Sequence, residues 1–333
     1  MKAVIRKAGP EGPAFCIRPY LPTAVPEAPG AHRERRLIVG AVSLARRLGV
    51  STLVIGLTVV ALGTSAPELV VNLLSVVRGS TDLALGNIFG SSIANILLIL
   101  GLAAVVSPVI VQRETIWKQI PFSLLAAIVV IILGSDALLD DHLPNILSRA
   151  DGLILLAFGA AFLYYTFRTG SQNGSLGSDF AALPARLTWA YVIGGLVGLG
   201  LGGKFIVDAA TGLARGFGVS EHLIGLTVVA VGTSLPELAT SLVAARKKQT
   251  DIAVGNVVGS NILNVFLVLG LTATVTPITF FPRALQDGLI AAAASLLLFL
   301  AMFVGGRHRL DRWQGVLFII TYVAVIGISI MGG

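Results

Sequence analysis

Charge is the scarcest thing in this 333-residue chain: Asp, Glu, Lys and Arg together make up 12% of it, about half the ~25% of an ordinary soluble domain. So little charge cannot cover the surface of a water-soluble body this size, and a soluble fold is excluded. Cysteine is almost missing. Cys16 stands alone, so no internal disulfide can close, and no Cys/His spacing suggests zinc. The four histidines, His32, His142, His222 and His308, fall in tails or loops, and no Ser-x-Gly nucleophile elbow lies near an apolar acid. Neither an enzyme nor a bound cofactor is expected. The first 36 residues contain no apolar core of a secretory signal.

What is there is greasy. Hydrophobic residues make up 55% of the chain and the mean hydropathy is +0.88. Apolar stretches at 116–134, 152–167, 291–305 and 315–331 approach the ~20 helical residues that cross a bilayer. The 38 glycines suit helices that must approach closely in lipid. The net charge of +7 would suggest nucleic acid in a soluble protein. In a membrane protein Lys and Arg collect in cytoplasmic loops instead, so the partner expected is the lipid bilayer and not nucleic acid.

The chain repeats itself. Residues 56–69 read GLTVVALGTSAPEL and residues 225–238 read GLTVVAVGTSLPEL, an offset of 169 residues. The register holds without a gap through Asp82 and Asp251, Gly86-Asn87 and Gly255-Asn256, Gly90-Ser91 and Gly259-Ser260, Asn95 and Asn264, and Pro108 and Pro277. Shared lipid solvent would not keep polar residues in step, so this is duplication. The duplicated units span 53–108 and 222–277, within membrane halves at 37–168 and 188–333 joined by a 169–187 linker. If that linker is cytoplasmic, twelve loop Lys and Arg fall on its side and four on the other. The two repeats then enter from opposite faces and are inverted, a hallmark of secondary transporters.

Glu68 and Glu237 lie inside the apolar segments, where an ionised carboxylate costs at least ~2.5 kcal/mol. Pro67 and Pro236 precede them and break the helix against the carbonyls of Gly63 and Gly232. Backbone oxygens freed at membrane depth must line a cavity or find partners. Around each acid lie further oxygens: Thr64 and Ser65, Thr233 and Ser234, Ser91 with Asn95, and Ser260 with Asn264. The set offers two negative charges and no sulfur or imidazole, which suits a hard cation such as Ca²⁺ with its six to eight oxygen ligands. Monovalent ions on the same oxygens would compete with it, which is the basis of exchange.

Two GTSxPE motifs, each followed by GNxxGSxxxN, resemble the α-repeats of the Ca²⁺/cation antiporter superfamily, nearest the prokaryotic sodium/calcium exchangers. The resemblance covers the chain from about residue 37 onward. It implies an all-α integral membrane fold of five plus five helices, alternating access, and Ca²⁺ and Na⁺ as substrates. It also implies a monomer in the plasma (inner) membrane. Ligation is implied for Glu68, Thr64, Ser65, Ser91 and Asn95, for Glu237, Thr233, Ser234, Ser260 and Asn264, and for the backbone carbonyls of Ala61 and Ala230. Many relatives carry Asp where this chain has Asn264, which leaves H⁺/Ca²⁺ or K⁺-dependent exchange open. A cation channel ranks lower, because no filter ring is evident.

One stretch departs from the symmetry. The helix at 188–214 should have a counterpart upstream of Leu37, but residues 21–35 read LPTAVPEAPGAHRER, which is not a membrane segment. Only its tail, 37–50, matches. Residues 1–36 are expected to be either a disordered basic tail, leaving an incomplete first helix, or the product of a shifted reading frame. Lys204 and Asp208, one turn apart on the helix before the second repeat, are expected to form a structural ion pair or gate element.

Overall fold

Two prolines cut the two apolar segments that matter most. Pro67 and Pro236 each lie in the first turn of a helix, where a missing N–H is tolerated. The chain therefore breaks at Ser65 and Ser234 instead of running straight through. The computed structural model describes residues 31–138, 142, 144–170, 183–219, 221–306 and 308–331. The first half comprises α1 (Ala31–Leu48), α2 (Thr52–Thr64), α3 (Ala66–Val77), α4 (Thr81–Val106), α5 (Thr115–Gly134) and α6 (Arg149–Gly170). The second comprises α7 (Ala185–Gly216), α8 (Gly225–Thr233), α9 (Leu235–Arg246), α10 (Thr250–Val275), α11 (Pro282–Ala301) and α12 (Arg312–Met331). Counting α2 with α3 and α8 with α9 as broken segments gives five plus five. The second break bends the chain by 51°.

Helix α1 begins at Ala31, six residues before the boundary drawn at Leu37. Its first six residues, AHRERR, are mostly charged, and the apolar part, Leu37–Leu48, reaches ~18 Å at 1.5 Å per residue, short of the ~30 Å hydrocarbon core. It packs along α7. Residues 1–30, the rest of the expected tail, lie outside the described residues.

The duplicated units form the middle of the bundle. The apolar windows of α4 and α10 are 83% and 94% buried, against 22% for α12, so α12 meets lipid while α4 and α10 meet protein. Two glycines make that centre possible. A Cβ on Gly90 of α4 would collide with the Leu226 carbonyl and lie 2.8 Å from the Ala230 Cβ. A Cβ on Gly259 of α10 would lie 2.7 Å from Leu57 backbone and 3.0 Å from the Ala61 Cβ. Each half thus presses its repeat helix against the broken segment of the other half, as small residues permit in membranes.

Helices α2, α8, α4 and α10 each contain a π-helical stretch, at Gly56–Val60, Gly225–Val229, Ala94–Leu100 and Asn264–Leu269. Such insertions are frequent at functional sites. Two short antiparallel ribbons tie the halves together. β1 (Val109–Ile110) pairs with β4 (Arg309–Leu310), and β2 (Ile146–Leu147) pairs with β3 (Ile278–Thr279). Each ribbon joins the linker after one repeat to the loop between the last two helices of the other half. Paired loops must share a membrane face, and these are loops that the charge count also groups together.

Candidate functional site

The breaks at Ser65 and Ser234 expose helix ends to each other at the centre of the bundle. Glu68 and Glu237 follow each break by one turn, and both are fully buried. Their hydrogen bonds cross between the repeats. Ser65 of the first donates to Glu237 Oε1 at 3.2 Å, and Ser234 of the second donates to Glu68 Oε1 at 3.2 Å. Ser260 adds a third, to Glu237 Oε1 at 3.1 Å. The two carboxylates therefore belong to one cluster that neither repeat completes alone.

Around them the other expected residues assemble. The Thr64 hydroxyl is shared between the Ala61 carbonyl at 3.2 Å and Asn256 Oδ1 at 3.1 Å. Its counterpart Thr233 faces the Ala230 carbonyl at 3.4 Å and Asn87 Oδ1 at 3.2 Å. Ser91 stands 3.5 Å from both Asn87 Oδ1 and the Ala230 carbonyl, looser than Ser260. Asn95 donates to Asn261 Oδ1 at 2.9 Å, joining α4 to α10. The π-helical stretch that starts at Asn264 packs against α3, which carries Glu68.

Sequence reasoning missed a layer behind these. Asn87 and Asn256 position the two threonines, and each is held in turn: Asn87 donates to Asn72 Oδ1 at 3.2 Å, and Asn256 to Ser241 Oγ at 3.1 Å and the Glu237 carbonyl at 3.3 Å. The signal was present. Asn87 and Asn256, like Asn72 and Ser241, are 169 residues apart and fully buried. Asn261 sits opposite Ser92 in the repeat register and donates to the Ser92 carbonyl at 3.2 Å.

What stays unpaired is as informative. Glu68 Oε2, Glu237 Oε2, Asn95 Oδ1 and both polar atoms of Asn264 are buried without a hydrogen-bond partner. A buried unsatisfied polar group costs ~1–3 kcal/mol, more if charged, so four oxygens left in this state need an electropositive partner. No His, Cys, Asp or Glu group of three that could hold a metal occurs among the described residues. The chemistry is therefore two acids plus neutral oxygens.

The surroundings are asymmetric. A cavity of about 550 Å³ lies between α3 and α7, lined by Pro67, Val71, Leu74 and Leu196, and reaches Thr233. Arg78 and Asp208 also border it; the Lys204 side chain lies outside the described residues. On the other face, α1 packs against α9 and α2, with Ala41, Ala45 and Ala244 in one buried cluster.

Inverted halves meeting at a buried oxygen cage define a membrane transporter for cations rather than an enzyme. Comparison with known proteins carries this further. Residues 34–168 and 187–331 match the family described as sodium/calcium exchanger protein. Among curated proteins, the chain is 40% identical to inner membrane protein YrbG of Escherichia coli, over 75% of this chain and 77% of that one. It is 36% identical to the putative antiporter CaxA of Alkalimonas amylolytica (86% and 91%) and 31% identical to the sodium/calcium exchanger MaX1 of Methanosarcina acetivorans (87% and 92%). Among solved structures, the sodium-calcium exchanger NCX_Mj soaked with Na⁺ superposes with a TM-score of 0.74 at 32% identity, covering 90% of this chain and 94% of that one. The chain belongs to the sodium/calcium exchanger family, with the inverted-repeat membrane fold of that family and an antiporter's role.

Proposed function

We propose that this chain exchanges Ca²⁺ for Na⁺ across the prokaryotic inner (plasma) membrane by alternating access, with Glu68 and Glu237 as the charged ligands. The observation that carries the proposal is the crossed pair of hydrogen bonds, Ser65 to Glu237 and Ser234 to Glu68. It brings two carboxylates from opposite repeats into one buried cage. Two negative charges balance one Ca²⁺, so the loaded site moves through a low-dielectric interior without net charge. Thr64, Thr233, Ser91, Ser260, Asn95 and Asn264 supply neutral oxygens, as do the carbonyls of Ala61 and Ala230, and hard-cation coordination asks for such a set. Na⁺ competes for the same oxygens. All of these groups come from one chain, so a monomer suffices.

The asymmetry fits one half of a transport cycle. The α3–α7 cavity gives the cage a route to the face that loop charge assigns to the outside, and the α1–α9 packing closes the other. Sliding α1 and α7 together across the two broken segments would exchange which side is open, as inverted repeats allow.

The test is flux into vesicles reconstituted with the purified chain. Radiolabelled Ca²⁺ uptake is measured under an outward gradient of Na⁺, of K⁺ or of H⁺. Uptake driven by Na⁺ alone is expected. Uptake driven equally by H⁺ would replace Na⁺ with protons as the counter-ion, and an absolute K⁺ requirement would make the exchange K⁺-dependent.

A further inference from the structure

Away from the cage, α5 and α6 enclose a second cavity of about 430 Å³. Its wall is aromatic. Phe122 stacks on Phe162 with ring centroids 5.3 Å apart, and Phe158 stacks on Phe266 of α10 at 5.5 Å. Its rim is polar, with Lys118 and Gln119 from the start of α5 and Tyr165 and Thr166 from the end of α6. Both helix ends lie on the face that loop charge assigns to the cytoplasm. Phe158, Phe162 and Thr166 follow one another at four-residue steps, so the cleft runs ~12 Å along one side of α6 at 1.5 Å per residue.

Two polar atoms at the rim have no partner: Thr166 Oγ1, on a residue only 3% exposed, and Gln119 Oε1. A helical threonine ordinarily bonds its hydroxyl back to its own backbone. Thr166 does not, although it lines the cavity. Lys118 brings positive charge. Its ammonium lies 3.7 Å from Glu114 and 5.7 Å from the Tyr165 ring centroid, which holds it over the rim. With three N–H donors, it retains capacity beyond Glu114.

The geometry points to a phospholipid site between α5 and α6 that takes one acyl chain in the aromatic cleft and an anionic, hydroxyl-bearing head group at Lys118, Thr166 and Gln119. A free phosphate would leave the aromatic end unfilled, and a purely apolar molecule would leave Thr166 and Gln119 unpaired. The phosphodiester accepts from Lys118 Nζ and the Thr166 hydroxyl, and a head-group hydroxyl donates to Gln119 Oε1. Basic pockets between helices on the cytoplasmic side suit anionic head groups for this reason.

Native mass spectrometry of the full chain decides it. The detergent-solubilised protein is equilibrated with equimolar phosphatidylglycerol and phosphatidylcholine carrying identical acyl chains. Retention of phosphatidylglycerol at least about fivefold above phosphatidylcholine is expected, the preference that one well-placed lysine supplies. Lys118→Gln combined with Thr166→Val should bring the two to parity. Ala161→Phe, at an exposed position that lines the cleft, should fill it and expel both lipids, and it carries the test if the double variant fails to fold. Equal retention of both lipids by the unaltered chain, or phosphatidylglycerol undiminished by Ala161→Phe, overturns the proposal.

Discussion

Gly90→Ala puts one methyl group where the structure has no room for it. The new Cβ would collide with the Leu226 carbonyl and approach the Ala230 Cβ to 2.8 Å. The first obstacle is backbone, which cannot rotate away, so α4 and α8 must separate. Overpacking of this kind costs ~1–3 kcal/mol. The displaced segment carries the Ala230 carbonyl and Thr233, which face Ser91 and Asn87 in the cage. If the strain falls on the loaded site, apparent Ca²⁺ affinity drops by roughly 5- to 150-fold at 1.4 kcal/mol per decade. The assay is the concentration dependence of Na⁺-driven Ca²⁺ uptake, with thermal stability of the purified protein alongside it. Gly327→Ala is the control, because a Cβ there meets nothing within 4 Å and alanine is the better helix former. It should leave flux and stability unchanged or slightly raised. Unchanged Ca²⁺ affinity and stability in Gly90→Ala would show that the α4–α8 crossing is looser than drawn and does not hold the site.

Ser65→Ala and Ser234→Ala each remove a hydrogen bond to the carboxylate of the opposite repeat, worth ~1.5–3 kcal/mol when the acceptor is charged. Both should weaken Ca²⁺ uptake about tenfold or more in half-saturation, and a loss confined to one of them would contradict the symmetry. Asn256→Ala removes one of the two acceptors of the Thr64 hydroxyl and the amide that donates to Ser241 Oγ, so it should lower flux without any ligand being removed; full activity would place Asn256 in a purely passive role. Asn264→Asp adds a third acid beside two existing ones, and like charges in one cluster titrate jointly. Ca²⁺ uptake by this variant should persist at alkaline pH and fall on acidification more steeply than in the parent, as the added carboxylate takes up a proton. A pH profile identical to the parent's would put Asn264 outside the cage.

Much of this fold could be read from the sequence because a bilayer imposes it. The GLTVVA motifs, the duplicated Pro-Glu pairs and the loop charges give broken, inverted segments without any coordinates; the ten polar side chains expected at the site come from residues kept in register, and the Ala61 and Ala230 carbonyls from the family resemblance alone. The crossing of the hydrogen bonds was not legible. Nothing in a linear string says that Ser65 serves Glu237 rather than Glu68 three residues away. That pairing depends on how far α3 and α9 swing at their breaks. Asn87 and Asn256 were visible as repeated residues, but their role behind the threonines needed the α4–α8 and α10–α2 contacts that Gly90 and Gly259 permit. The start of the α1 backbone helix was not legible for a different reason. His32 to Arg36 carry too much charge to read as membrane helix, yet the backbone is helical from Ala31.

The most direct measurement is Na⁺-driven Ca²⁺ uptake by Glu68→Gln and Glu237→Gln in reconstituted vesicles. Each substitution keeps size and hydrogen-bonding capacity while removing one charge, which leaves a divalent ion uncompensated in the buried cage. Both variants should insert, fold and elute like the parent, and both should lose Ca²⁺ transport. Near-parental uptake by either, in protein shown to be folded, would mean that the paired carboxylates are not the ion site.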